Sequence, residues 1–515
     1  MRSSLGKRCL VLAVLVTLLL WTNRHDVEDG HDGHRQFLGT ALSRHPPSLR
    51  VFCFVFLTSF GLFGTAVAWS VWEGNEGCQM YLHDLLLLET PMDRVVVSES
   101  SHGVVYPFVL LAALDLTIVS CVSLLWFTVA SSSVAVGESS SYLTYTAPFV
   151  PLGLFAWTLY RAFVPWKTRG TLWVTLLTRT MSAPCSKVTF RDGFIGDLLT
   201  STVRPLQDLV STLFFLPLGL HAYWSSYTLG DDSSLATTIE LPPVERNWIL
   251  HTFVLPACIL SPQWWRFCQN LRQCYDAKQR WPYLGNSFKY MFAALVATFG
   301  MFDPSIKQHP LWIGSFVMAT MYQVWWDVVM DWGLLESDED SKWCRWMLRS
   351  ERLYQPTWMY ILIFVMNVLL RFMGMFTLLP PVYLSRTTGR MVQTFPNVGR
   401  FMDGSMTAFA EIVRRTIWAL LRLEWEVIQI RRKEQRAVVV VEEDVEWTND
   451  HRDLQPMAIE SSLRRSVWEN IRFKHVRWSS DMSDLNDIQI LTELCVWATM
   501  FTGLAIVAAA HREVL

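Results

Sequence analysis

Several ionisable residues interrupt runs that are otherwise apolar. Arg371 falls near the end of YILIFVMNVLLRF, and Glu411, Arg414 and Arg415 fall within AEIVRRTIWALL. Glu411 precedes Arg414 by three residues and Arg415 by four, so on a helix the acid shares a face with both guanidiniums. Asp327 and Asp331 in YQVWWDVVMDWGL repeat the four-residue spacing. Lys289 opens an apolar run in LGNSFKYMF, Arg266 and Arg272 sit in PQWWRFCQNLRQCYD, and Asp197 lies in FIGDLLTSTV just ahead of another run.

A charge at the centre of a bilayer costs on the order of 3 kcal/mol, so a chain that keeps several must supply partners for them. Cations in excess of nearby acids make an anion site. Arginine suits a tetrahedral oxyanion because its planar fork gives paired, charge-assisted hydrogen bonds. Acids among the cations would hold them in place and keep binding weak enough for release. For any single residue, an ion pair at a helix end or a side chain snorkelling to the interface is an equal explanation. Lys289 and Arg266, near run ends, fit that explanation most easily; Arg371 with Glu411, Arg414 and Arg415 fits it least. The residues alone do not choose phosphate over sulfate or a carboxylate.

The elements that must position these side chains are membrane helices. Of the 515 residues, 51% are hydrophobic and only 17% charged, against about 25% charged in soluble domains. The 25 Trp recur near the ends of apolar runs, as an interfacial belt would. A span needs about 20 largely apolar residues. Candidates are 9–21, 51–71, 104–128, 143–164, 208–229, 247–262, 286–302, 311–329, 357–379, 407–423 and 489–510. The expected fold is all-α, a polytopic transmembrane bundle of about 10–11 spans. The first run fits either a signal peptide or a short first helix. Counting from it puts the basic segments 165–207 and 263–285 inside, as the positive-inside rule requires, and the acidic loop 230–246 outside. The acidic loop 72–103 also falls inside, a mild conflict.

Lys+Arg number 44 and Asp+Glu 46, so net charge gives no reason to expect a nucleic-acid partner. The ten Cys form no CxxC pair and read as free thiols. His25, His31 and His34 lie in HDVEDGHDGH, which reads as a solvated loop rather than a metal site. There is no Walker loop, GxGxxG or HExxH, and no His stands in an apolar run beside a nucleophile. No cofactor, metal or catalytic residue is expected, and an enzyme is the weakest reading.

At these charged residues the chain resembles the EXS family, of the xenotropic-and-polytropic-receptor and yeast ER-retention-defective type. The matching stretches run in order: FVPWKTRGTLWVTLLTRTMSAPCSKVTFRDGFIGDLLTS, SPQWWRFCQNLRQCYDAKQRWPYLGNSFKY, WWDVVMDWGLLE, NVLLRF and EIVRRTIWALLRLEWE. They cover roughly residues 50–430. The resemblance implies export of inorganic phosphate through a channel-like path. Arg266, Lys289, Arg371, Arg414 and Arg415 would bind phosphate, with Asp197, Asp327, Asp331 and Glu411 lining or gating the path. Gly374 stands where the family often has a gating Trp, so gating here is expected to differ.

The division expected on this basis begins with 1–50, a short cytosolic start, a first span or signal-anchor and the acidic, His-containing loop. Residues 51–165 are membrane helices and 166–430 the EXS-type transport domain. A cytosolic polar segment, 431–488, and a C-terminal apolar segment, 489–515, follow. Many family members carry an SPX domain ahead of the first helix. Only about eight residues precede the first span here, which resembles the SPX-less branch and implies a Golgi or other endomembrane location. The expected partners are inorganic phosphate and the lipid bilayer, with a homodimer as a candidate assembly. The competing reading is a non-transporting Golgi scaffold or sorting factor that retains glycosylation enzymes.

Overall fold

The computed structural model describes residues 2–24, 46–86, 105–135, 149–163, 177–213, 253–302, 309–337, 346–373, 382–384, 391–393, 405–447 and 480–510. Within them the chain is an all-α bundle. Without water to bond to, an apolar segment must satisfy its own backbone, and a helix does so residue by residue. The helices are α1 (Arg2–Arg24), α2 (Pro46–Glu73), α3 (Glu76–Leu86), α4 (Tyr106–Ala135) and α5 (Phe149–Phe163). Then come α6 (Phe190–Thr200) and α7 (203–213), α8 (Leu255–Ala277), α9 (Tyr283–Phe302), α10 (Pro310–Trp325) and α11 (Trp358–Phe372). The last two are α12 (Ser405–Trp447) and α13 (Asp487–Ala510). The described strands form two small antiparallel ribbons, β1 (Leu335–Ser337) with β2 (Trp346–Leu348), and β3 (Val382–Leu384) with β4 (Met391–Gln393).

All eleven expected spans overlap described helices, 208–229 over its described part, to residue 213. Three helices, α2, α4 and α13, are long and apolar enough to cross a membrane by themselves. The others carry charge or are short, and the burial pattern shows why they are tolerated. On α11, Ile361, Leu362, Val365 and Leu369 are exposed, whereas Tyr360, Ile363 and Asn367 are buried. A greasy outside with polar groups inside is what a helix between lipid and a polar interior requires.

The bundle is arranged around α12. Its apolar face packs on α2, and a Cβ at Gly64 would run into the Thr416 side chain; the small residue permits the close approach. Trp332, Trp418, Leu421 and Leu423 lie in one core with Trp69, Trp72 and Phe194. A second core joins α8, α9 and α13 through Phe267, Tyr290, Leu494 and Phe501.

Three local features position the charged residues. The chain breaks at Ser201–Thr202, between α6 and α7; α6 itself starts with a Thr189/Asp192 capping box. Next, α10 runs into a π-helical turn, Trp326–Asp331, whose wider ring is a recurrent feature of functional sites. Trp332 then donates to the Asp327 carbonyl at 3.0 Å, and Gly333 turns the chain away at φ +51°. Finally, α8 continues to Ala277 although 263–285 reads as a loop in the sequence. Its second half carries Arg266, Gln269 and Asn270, all buried, so an apolar-run criterion stops too early.

Candidate functional site

The site is built where α6, α8, α9, the π turn, α11 and α12 meet. Arg414, 1% exposed at its side chain, is the centre. Its Nε donates to Glu411 Oε2 at 2.8 Å and its Nη2 to Glu411 Oε1 at 2.5 Å. Its Nη1 reaches Asp327 Oδ2 at 3.5 Å and Asn367 Oδ1 at 3.3 Å. Arg371 Nη2 donates to the same Asp327 oxygen and Nη1 to Gln323 Oε1. Asn367 Nδ2 also donates to Asp327 Oδ2, at 3.2 Å. One carboxylate from the π turn thus gathers α11 and α12.

Asp197 forms the second half of the cluster. Arg266 binds it bidentately, Nε to Oδ1 at 2.8 Å and Nη2 to Oδ2 at 3.1 Å. The Tyr290 hydroxyl donates to Oδ1 as well. Arg266 Nη1 donates to Gln269 Oε1 at 2.6 Å, and the Gln269 amide donates to the carbonyls of Thr180 and Asp192. The broken helix is therefore anchored to α8 just before its break.

Arg415 and Lys289 differ from the other cations. Arg415 Nε donates to Ser201 Oγ at 2.8 Å and Nη2 to Thr200 Oγ1 at 3.0 Å, and its guanidinium lies 4.6 Å over the Trp418 ring. The Lys289 ammonium lies 4.6 Å from the Tyr290 ring centroid and 5.3 Å from that of Trp326. Neither has a carboxylate within 4.0 Å among the described residues, while both act electrostatically on Asp197 and Asp327. The cluster holds five cations against four carboxylates, and the two uncommitted charges face hydroxyls and rings.

The nine expected phosphate-binding and pathway residues therefore fall in one assembly, while Arg272 stays outside it, paired with Asp276 at the surface; three revisions follow. Lys289 and Arg266 do not snorkel: they are 7% and 5% exposed, because α8 and α9 bring them inside rather than to the interface. Glu411 bonds Arg414 directly but reaches Arg415 only through Ser201, whose hydroxyl donates to Glu411 Oε1 at 2.6 Å. Asp331 faces the Trp418 indole, which donates to its Oδ2 at 3.1 Å, and has no cation within 4.0 Å among the described residues. The site also uses Thr200, Ser201, Gln323, Asn367 and Tyr290, which a search for charge passes over. Two of these had a signal, because Gln323 and Asn367 stand four residues before Asp327 and Arg371 and so share their helical faces. Gly374, and His25, His31 and His34, lie outside the described residues.

Comparison with known proteins agrees with this architecture. The EXS family model matches residues 47–428. Solute carrier family 53 member 1 of Homo sapiens is 29% identical over 296 residues, covering 54% of this chain and 38% of the relative. SPX and EXS domain-containing protein 1 of Dictyostelium discoideum is 28% identical over 295 residues, 55% of this chain and 28% of the relative. The xenotropic and polytropic retrovirus receptor 1 homolog of Xenopus laevis is 25% identical over 362 residues, 67% of this chain and 49% of the relative. The chain thus spans less than half the length of these curated relatives.

Proposed function

Because the chain belongs to the EXS family, we propose that it carries inorganic phosphate across the membrane, through a path lined by Arg266, Lys289, Arg371, Arg414 and Arg415 with Asp197, Asp327, Asp331 and Glu411. The observation that carries this reading is the pair Arg415 and Lys289, two cations of a buried cluster that no carboxylate neutralises among the described residues. A guanidinium presented by Ser201 and Thr200 offers donors to a tetrahedral oxyanion, and an ammonium adds a compact point charge.

Arg371 and Arg414 are held by Asp327 and Glu411. An arriving phosphate competes with those carboxylates for the same donors. Binding is therefore the difference between two good sets of hydrogen bonds, and the anion can leave as well as enter. The break at Ser201–Thr202 and the π turn are the two places where the helices around the site can change shape at low cost, and gating is assigned to them. The role is transport rather than catalysis. Relatives are named as solute carriers, which supports it.

The test is purified protein in liposomes loaded with labelled phosphate, with the Arg371→Ala/Arg415→Ala double variant as control. Flux above the control supports the proposal. Flux equal to the control at several pH values and in both orientations sinks it. The second reading, a scaffold that retains Golgi enzymes, draws on α12, which continues past the matched residues to Trp447. On that reading the double variant still localises and still retains its partners in cells. Staining against a Golgi marker decides between an endomembrane and the cell surface.

A further inference from the structure

A second polar cluster lies on α7, beyond the break. Arg204, Asp208 and Ser211 are spaced i, i+4, i+7 and share one face. Asp208 lies about 8 Å along α7 from its first residue, Val203, at 1.5 Å per residue. Its side chain is 2% exposed. Arg50 of α2 donates from Nη1 to its Oδ1 at 3.4 Å. Arg204 Nε stands 3.6 Å from its Oδ2, within ion-pair range but too far for a hydrogen bond.

Among the described residues, three buried polar atoms of this cluster have no hydrogen-bond partner, Arg204 Nε, Asp208 Oδ2 and Ser211 Oγ, although the Arg50 and Arg204 side chains as a whole are 34% and 38% exposed. Buried polar groups are bonded in the great majority of cases, so a stretched Arg204–Asp208 ion pair beside an unbonded hydroxyl requires an explanation. Their chemistry is mixed. Arg204 Nε can only donate, a carboxylate oxygen can only accept, and a hydroxyl does either. Two arginines against one aspartate leave a positive charge in excess.

We propose that Arg50, Arg204, Asp208 and Ser211 form a second station for phosphate, one that selects a protonated oxyanion. This rests on the transport reading given above. Monohydrogen and dihydrogen phosphate present both kinds of oxygen. The unprotonated ones accept from Arg50, Arg204 and Ser211, and the P–OH donates to Asp208 Oδ2. Sulfate at neutral pH has no O–H, so its oxygen would face the carboxylate oxygen with no proton between them. The central cluster makes this distinction less sharply, because Asp327 Oδ2 and both Glu411 oxygens already accept hydrogen bonds from protein donors. Placed next to the break, the station would hand phosphate on to Ser201 and Arg415 or receive it from them.

Equilibrium binding of labelled inorganic phosphate to the purified full chain tests this, with the Arg415→Ala variant used to disable the central site. The Arg415→Ala protein is expected to retain one phosphate. Adding Arg204→Gln should weaken that binding at least about tenfold, the value of one lost charge-assisted hydrogen bond. Asp208→Asn should let sulfate displace phosphate about as well as phosphate itself does, because an amide can donate to either ion. Ser211→Ala, which leaves all three charges in place, should weaken binding measurably and covers the case in which Arg204→Gln fails to fold. Retained binding that neither Arg204→Gln nor Ser211→Ala weakens overturns the proposal, as does free sulfate competition in the Asp208 parent. Flux without Arg204-dependent binding removes the second station and leaves transport standing. Arg204-dependent binding without any flux does the reverse.

Discussion

Glu424 and Arg349 form an ion pair with neither side chain exposed, and replacing Glu424 by Gln has a calculable consequence. Glu424 accepts from Arg349 Nη2, from the Tyr360 hydroxyl and from the Leu353 amide, the last at 2.7 Å. Arg349 also donates to the carbonyls of Trp332 and Glu351 and lies 5.4 Å from the Trp425 ring. Removing one partner of a buried pair leaves an uncompensated charge and costs about 3–5 kcal/mol. Set against a typical total of about 5–15 kcal/mol, that is a large share. Replacing both by apolar residues of similar volume is often close to neutral. The expected result in a denaturant unfolding series is therefore strongly non-additive. Glu424→Gln, Glu424→Leu and Arg349→Met each lose about 3 kcal/mol or more, and Arg349→Met with Glu424→Leu loses much less than the sum of its own two single variants. A single-variant loss below about 1 kcal/mol, or simple additivity, would refute the account of this pair as a buried knot.

Arg371→Lys keeps the charge but cannot reach Gln323 and Asp327 from one planar fork. Phosphate flux in liposomes is expected to fall at least about tenfold, with gel-filtration behaviour unchanged. Gly333→Ala puts a side chain at φ +51° and against the Trp425 ring; a loss of about 1–3 kcal/mol or more is expected, read by thermal unfolding. Burial pushes the Cys78 thiol up to about 11, so below that pH it stays protonated and unreactive. At pH 7.5 maleimide should modify the exposed Cys185 well before Cys78, and equal rates by peptide mass spectrometry would contradict this. Tyr81 and Glu434 touch through a 2.6 Å hydrogen bond. Tyr81→Phe removes it, and because the contact is exposed to solvent, thermal unfolding should show a loss of about 1 kcal/mol or less; a loss above about 2 kcal/mol contradicts this.

The membrane character and the charged cluster were readable in the sequence, because charge in an apolar run is conspicuous and needs partners. Neutral polar residues gave a weaker signal. Ser201 and Thr200 look like ordinary helix residues in DLLTSTVRP, although Pro205 just beyond them hints at a break. The π turn left no trace, since no composition distinguishes five-residue from four-residue hydrogen bonding in WWDVVMDW. Glu424 stands immediately after the apolar run 407–423 and nothing in the sequence marks it as core, yet it is fully buried. Its partner Arg349 lies 75 positions away, and only the packed fold brings the two together.

The length of α12 acquires a mechanical meaning from that knot. Its 43 residues extend about 65 Å, roughly twice the hydrocarbon core of a bilayer. Glu424 pins it to the β1–β2 ribbon and the start of α11. From there Arg414 is about 15 Å in one direction and Trp447 about 35 Å in the other. Past that pin, Arg431, Arg432 and Glu434 tie the helix to Gly77, Glu351 and Tyr81, so within the described residues α12 is braced on both sides of Glu424. It is a strut rather than a hinge, and it fixes the arginines at a set distance from the polar end of the helix.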